Sequence, residues 1–360
     1  MVLRWIAALV AFAIVAFLGI GVVGDFSENA AANSWALTAA IALAAAFVVY
    51  AAVEYTQTGA IDSIARQFDT RTIVLIPLAI AVNIILGAAV ANALKIPIYL
   101  DSVGTILVGA LAGPIPGALT GFLANILWQY IIPPPFQGAV AAPFAIVAAV
   151  IGLLAGLFGR YGWLRPRPDR PTSQLAIGAV VAIGLIAVMA WLAYLGWTAS
   201  IGTVDLGVAS DNFIFVVLGW LTLALVGLTV VGLLVVLFVR RDLTAAYVVV
   251  AGLLTGIVAA LISAPISANL FGGVTGAGTD FLVAAFRQAG ADIGTATLGQ
   301  GLISDPVDKI TTFFVVYLVL NAMARRTKAR FPQGERLLSS EGMDDLQPPA
   351  PPAPAPGAPA

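Results

Sequence analysis

The sequence predicts an all-α, polytopic membrane bundle of about ten spanning helices, and three observations carry that reading. Of its 360 residues, 61% are hydrophobic and only 10% are charged, whereas a soluble domain carries about 25% charged residues. Apolar runs of 18 residues or more recur, each long enough to cross a bilayer core, and the mean hydropathy is +1.01. Alternation of period two is absent, which sets a transmembrane β-barrel aside.

The spans fall in order near 3–23, 34–54, 72–94, 102–112, 116–132, 139–159, 173–196, 212–239, 243–265 and 306–324. The first has an apolar stretch too long for a signal-peptide core and only Arg4 as a basic flank, so it reads as an anchor. The fourth is short and must be buried in the bundle, since it cannot cross fully exposed to lipid. A Gly-Pro-Ile-Pro-Gly turn joins it to the fifth. Charge supports the even count. With the N-terminus inside, the inner segments hold fourteen of the 17 lysines and arginines, and the outer segments hold Lys95, Arg287 and Lys309. Cytoplasmic loops are the basic ones, so an N-in, C-in orientation in the cytoplasmic membrane is expected.

Several function classes recede. The chain has no cysteine and no histidine, which removes thiolate chemistry, the commonest general base and the commonest metal ligand. It lacks a GxxxxGK[ST] phosphate loop. A net charge of −1 gives no case for nucleic acid. Catalysis, a cofactor and a bound metal are therefore not expected; transport, binding or sensing is.

Asn125 and Gln129 stand one turn apart on one helix face, deep in an apolar run. They either hydrogen-bond a polar ligand or pair with neighbouring helices. Tyr99 and Asp101 sit where an outer loop meets the short helix, and Asp101 either touches a ligand or caps. Trp128 and Phe136 either stack on a planar ring or anchor at the interface. In Ser304-Asp305-Pro306-Val307-Asp308-Lys309, Pro306 suits a first helical position, with Asp305 as cap and Asp308 in the first turn. Asp305 and Lys309 form an i,i+4 pair. That predicts a helix start at the outer surface, against the alternatives of an intramembrane charge relay or a cavity rim.

The outer segment 266–305 is long, as lids and binding loops often are. Its glycines punctuate a turn, after which Thr279 or Asp280 caps a short amphipathic helix, FLVAAFRQ. Asn269, Arg287 and Gln300 are further ligand candidates from it. Residues 331–360 form an acidic, then Pro/Ala-rich tail that reads as disordered.

The segment at 96–130, IPIYLDSVGTILVGALAGPIPGALTGFLANILWQY, resembles the substrate-binding (S) components of energy-coupling factor (ECF) transporters, in the broad group near the riboflavin type. AGLLTGIVAALISAPISANLFGGVTGAGTD at 251–280 and GQGLISDPVDKITTFFVVYLVL at 299–320 resemble later blocks of the same family, in the expected order. The resemblance implies a six-helix core, with four helices in 72–172 and two in 243–330. Helix pairs are then added in 1–71 and inserted in 173–242. It also implies a role: capturing a vitamin-like solute from the outer face, then docking on a transmembrane coupling subunit driven by two separate ATPase subunits. S components dock through small residues on their first core helix, which maps here to Ala79, Asn83, Gly87 and Ala91. A membrane sensor that signals through a partner chain is the alternative, because some sensor domains share an LDSVGTI-type segment.

Overall fold

The computed structural model describes residues 2–23, 29–89, 99–184, 187, 227–288 and 290–339. Regular structure among the described residues is entirely helical. Four stretches, Ala31–Thr58, Thr70–Gly87, Ala142–Arg160 and Thr244–Phe271, are long and apolar enough to cross a membrane. The chain is thus a helical membrane protein. Ala91, Lys95, the middle of the helix pair expected at 173–242 (188–226) and residues 340–360 lie outside the described residues.

Helices α1 (Val2–Val23) and α2 (Asn29–Thr58) pack as an antiparallel pair. Buried Glu54 closes one end, pairing with Arg4 at 2.9 Å and accepting from Ser63 N and Oγ at 2.9 and 2.6 Å. After α3 (Asp62–Ala65), Asp69 caps α4 (Thr70–Gly87) by accepting from Thr72 N at 2.8 Å. The short α5 (Val103–Ala112) is buried on nearly every side, as its length demands. Gly113, at φ +132°, makes the sharp reversal into α6 (Pro114–Tyr130). Helix α7 (Ala145–Arg160) follows a 3-10 turn and packs on both α5 and α6.

Parts of the segment 173–242 are described as α8 (Thr172–Gly184) and α9 (Gly227–Val239). Then come α10 (Thr244–Phe271), α11 (Asp280–Gln288), α12 (Ile293–Ala322) and α13 (Arg325–Ala329). Among the described elements, helices α10 and α12 share the most extensive contact. A Cβ on Gly256 would lie 2.4 Å from Pro306 Cα, and one on Gly252 2.4 Å from Ile310 Cα. Small residues at spacing four thus bring the two backbones together, as membrane helices require when no hydrophobic force drives them.

Three expectations need correction. The last of the expected spans, near 306–324, does not start at Pro306. It starts at Ile293, capped by Asp292, which accepts from Thr295 N at 3.0 Å and Oγ1 at 2.5 Å. Pro306 lies inside it, tolerated because a neighbouring helix packs tightly around the interrupted ladder. The long loop expected at 266–305 consequently shrinks to 272–292. There α11 begins at Asp280, whose carboxylate fixes the preceding turn by accepting from Thr275 N and Gly276 N at 3.0 and 2.7 Å. Nor is the chain structureless from 331. A 3-10 turn at Gly334–Leu337 docks under the bundle, with Gln333 N donating to Leu111 O at 2.8 Å and Leu337 and Leu338 buried.

Candidate functional site: a broken helix against buried charge

At 1.5 Å per residue, α12 is about 45 Å long and places Asp308 about 22 Å from its start. Its charged residues therefore sit at mid-helix, far from either end, and charge that is buried as well is costly. Asp305, Asp308 and Lys309 are all buried. This corrects the surface-cap reading of Asp305 and the Asp305–Lys309 pair: Lys309 Nζ instead meets Asp308 Oδ2 at 2.5 Å. An Asp before a Pro has the local form of a helix start. Only the distant contact with α10 decides otherwise.

The segment before α5 comes in to meet these charges. Asp308 Oδ1 accepts from Tyr99 N and Leu100 N, both at 2.9 Å. Leu100 takes φ +50°, a left-handed conformation that a bulky residue keeps only when its surroundings enforce it. Lys309 Nζ also donates to Ser102 Oγ at 2.9 Å and lies 3.7 Å from Asp101 Oδ1. At about 15 Å, α5 covers half of a bilayer core, and it begins at this cluster. A short helix that begins inside the bundle beside buried polar groups resembles the arrangement that membrane carriers use at their binding sites.

Asn83 completes the joint. Its Oδ1 accepts from Gly104 N at 2.7 Å, and its Nδ2 donates to Thr105 Oγ1 at 2.7 Å. Helix α4 thereby caps α5 from outside, satisfying an amide that the broken helix leaves open. Ala79 abuts Gly104, and Gly87 faces the Trp128 ring and Asp101 Cβ. The described members of the expected docking face are thus the inward face of α4, packed on its own bundle. The open side of that helix carries Val74, Leu78 and Ile85.

Asp305 is held more loosely than its neighbours. It accepts from Ser304 Oγ at 3.3 Å and from Ser263 Oγ of α10 at 3.4 Å. Gln300 Nε2 donates to Ser304 Oγ at 2.6 Å, extending the cluster along α12. The Tyr99 hydroxyl meets Thr279 Oγ1 at 2.8 Å, tying the site to the turn before α11. The cluster holds three carboxyls (Asp101, Asp305 and Asp308) and one ammonium, so acceptors outnumber donors. Among the described residues, no group of three or more potential ligands is disposed to hold a metal ion.

The remaining candidates divide. Asn125 is buried on α6, one turn beyond Gly121, which contacts Thr105. Trp128 is buried rather than interfacial, and its Nε1 donates to Phe136 O at 2.8 Å. Gln129 Oε1 accepts from Ala142 N at 2.7 Å, so this amide orders the 131–144 loop. Phe136 and Arg287 are exposed. Asn269 is also exposed, donating back to Pro265 O at 2.8 Å. The structure therefore joins Tyr99, Asp101, Gln300 and Asp305, and adds Asn83, Ser102, Asp308 and Lys309, which were not among the expected ligand residues. The rule that intramembrane charge is functional was the signal that would have found the last two. Comparison with family models, with curated proteins and with solved structures finds no match.

Proposed function

We propose that this chain is the substrate-capturing membrane subunit of an ECF-type importer for a vitamin-like solute. In this reading about ten spans, N-in and C-in, carry a six-helix core that binds solute from the outer face. ATP hydrolysis belongs to partner chains that act through a coupling subunit. The observation that carries the reading is the junction of broken helix α5 with the buried Asp305–Asp308–Lys309 run. A purely structural bundle has little use for so costly a group of side chains.

The chemistry narrows the solute. Asp308 and Lys309 are committed to one another, to the Tyr99 and Leu100 amides and to the Asp101 and Ser102 side chains, so they build the site. Asp305, with only two long serine contacts, is the group best placed to meet a ligand. An excess of carboxyls suits a solute rich in N–H or O–H donors, or one carrying positive charge.

Native mass spectrometry of protein gently purified from its own host tests this. The expected result is a retained small molecule that is lost in Asp305→Asn, with the melting temperature of that variant close to wild type. An empty protein that co-purifies with neither a solute nor ATPase subunits overturns the reading.

A further inference from the structure

Where α7 ends and the chain runs toward α8, a pocket of about 340 Å³ opens. It is lined by Arg160, Arg165, Arg167, Arg170 and Arg336, with Tyr161 and Gly162. No carboxylate is among these lining residues. Basic residues near the ends of membrane helices are ordinary, but ordinarily they spread outward into solvent. Here five guanidinium-bearing residues from two stretches of chain, 160–170 and the turn at Arg336, converge on one concavity.

Two of them are fixed in place. Arg167 donates to Gly162 O at 2.7 Å, Arg165 O at 3.0 Å and Trp163 O at 3.3 Å, and its guanidinium lies 4.0 Å from the centre of the Tyr247 ring. Arg336 Nη1 donates to Arg160 O at 2.8 Å, which brings the 3-10 turn at 334–337 against the end of α7. The side chains of Arg165 and Arg170 have no hydrogen bond or ion pair among the described residues. Burial pulls the Arg167 guanidinium below its ordinary value, and the nearby Arg165 and Arg170 charges push the same way, against Tyr247 and Asp242. The cluster thus carries mutual repulsion that an anion would relieve.

We propose that this pocket binds a phosphate-bearing group, held by the forked guanidinium donors of Arg165 and Arg170 over a floor made by Arg167. Arginine suits the task because its planar fork matches phosphate oxygens two at a time. The position, at the ends of membrane helices and beside exposed Tyr161, favours the headgroup of an anionic phospholipid. Basic pockets between transmembrane helices bind such headgroups. Free phosphate compounds share the chemistry and are separated by the test.

The full chain is reconstituted in vesicles of phosphatidylcholine with or without cardiolipin, extracted gently, and its retained lipid read by native mass spectrometry. In parallel its melting temperature is measured with inorganic pyrophosphate. At about 1 kcal/mol per arginine, Arg165→Gln with Arg170→Gln lowers retention about 30-fold. Arg66→Gln with Arg326→Gln, which removes two exposed charges elsewhere, leaves retention unchanged. Selective cardiolipin retention identifies a lipid site. A pyrophosphate-induced rise in melting temperature, without lipid retention and absent from the pocket variant, identifies a soluble phosphate. If the glutamine variant does not fold, Arg165→Lys with Arg170→Lys replaces it, keeping charge but losing the fork, with intermediate retention expected. Equal behaviour of wild type and pocket variant in both arms overturns the proposal.

Discussion

At the middle of α12, Lys309 and Asp308 are 4% and 0% exposed and meet at 2.5 Å. Beside α3, Arg66 and Asp62 have side chains 81% and 66% exposed and meet at 3.5 Å. Both are ion pairs between nearby residues of one chain. In the first, every charged atom has a protein partner, because no water is at hand to replace one. In the second, water and salt serve nearly as well as the partner. The interior pair therefore determines backbone course, holding Leu100 in a left-handed conformation and starting α5 in mid-bundle. The peripheral pair determines almost nothing. What a charge does here follows from its surroundings more than from its pairing.

The largest test removes one partner of the interior pair. Asp308→Ala leaves Lys309 buried without its main counter-charge and strips Tyr99 N and Leu100 N of their acceptor. Breaking a buried pair costs about 3–5 kcal/mol, so the melting temperature in detergent should fall steeply. Adding Lys309→Met should recover a substantial part of the loss, because the orphaned ammonium is then gone. A double variant as unstable as Asp308→Ala alone would mean that the backbone anchoring of residues 99–100, not the charge, dominates.

Next is the packing that lets Pro306 sit inside a helix. Gly256→Ala places a methyl 2.4 Å from Pro306 Cα and should destabilise by about 1–3 kcal/mol through overpacking. Gly21→Ala, where nothing lies within 4 Å, should be neutral or slightly stabilising in the same melting assay. Asn83→Ala leaves Gly104 N without its acceptor in a buried place and should cost about 1–3 kcal/mol. Asn83→Asp keeps that acceptor but loses the donor to Thr105, so it separates the two bonds. Equal losses in the alanine and aspartate variants would shift the weight from the α5 amide to Thr105.

The helical membrane class was legible because lipid forces it: a spanning segment must satisfy its own backbone, and the apolar runs record this. The burial of α5 followed from its length alone. The site was legible only in pieces. Tyr99, Asp101, Gln300 and Asp305 stood out as polar residues in apolar surroundings, and they do converge. Their depth was hidden because Asp305-Pro306 has the local form of a capped helix start. The residue that overrules it, Gly256, is far away in sequence. Asn83 misled for a related reason: small-residue spacing shows that a helix face packs closely but not against what. Residues 331–339 look like the start of a tail because their few apolar members, Leu337 and Leu338, gain meaning only beside the end of α5.

The smallest effects belong to the periphery. Arg66→Ala should move stability by less than about 0.5 kcal/mol, and a larger loss in the melting assay would mean that the exposed pair, like the buried one, holds structure in place. Asp292 offers the finer test. Hydrogen bonds from the Thr295 hydroxyl and amide hold its carboxyl below its ordinary value. Its contribution is therefore complete above the unfolded carboxyl range, near about pH 4. It fades as pH falls through that range and below the folded value. Asparagine caps a helix about as well as aspartate but does not titrate. Asp292→Asn should thus melt with wild type at neutral pH and gain on it as the medium is acidified, the other carboxyls cancelling in the difference. A constant gap at all pH values would mean that the capping bond at Thr295 contributes no more than the water it displaces.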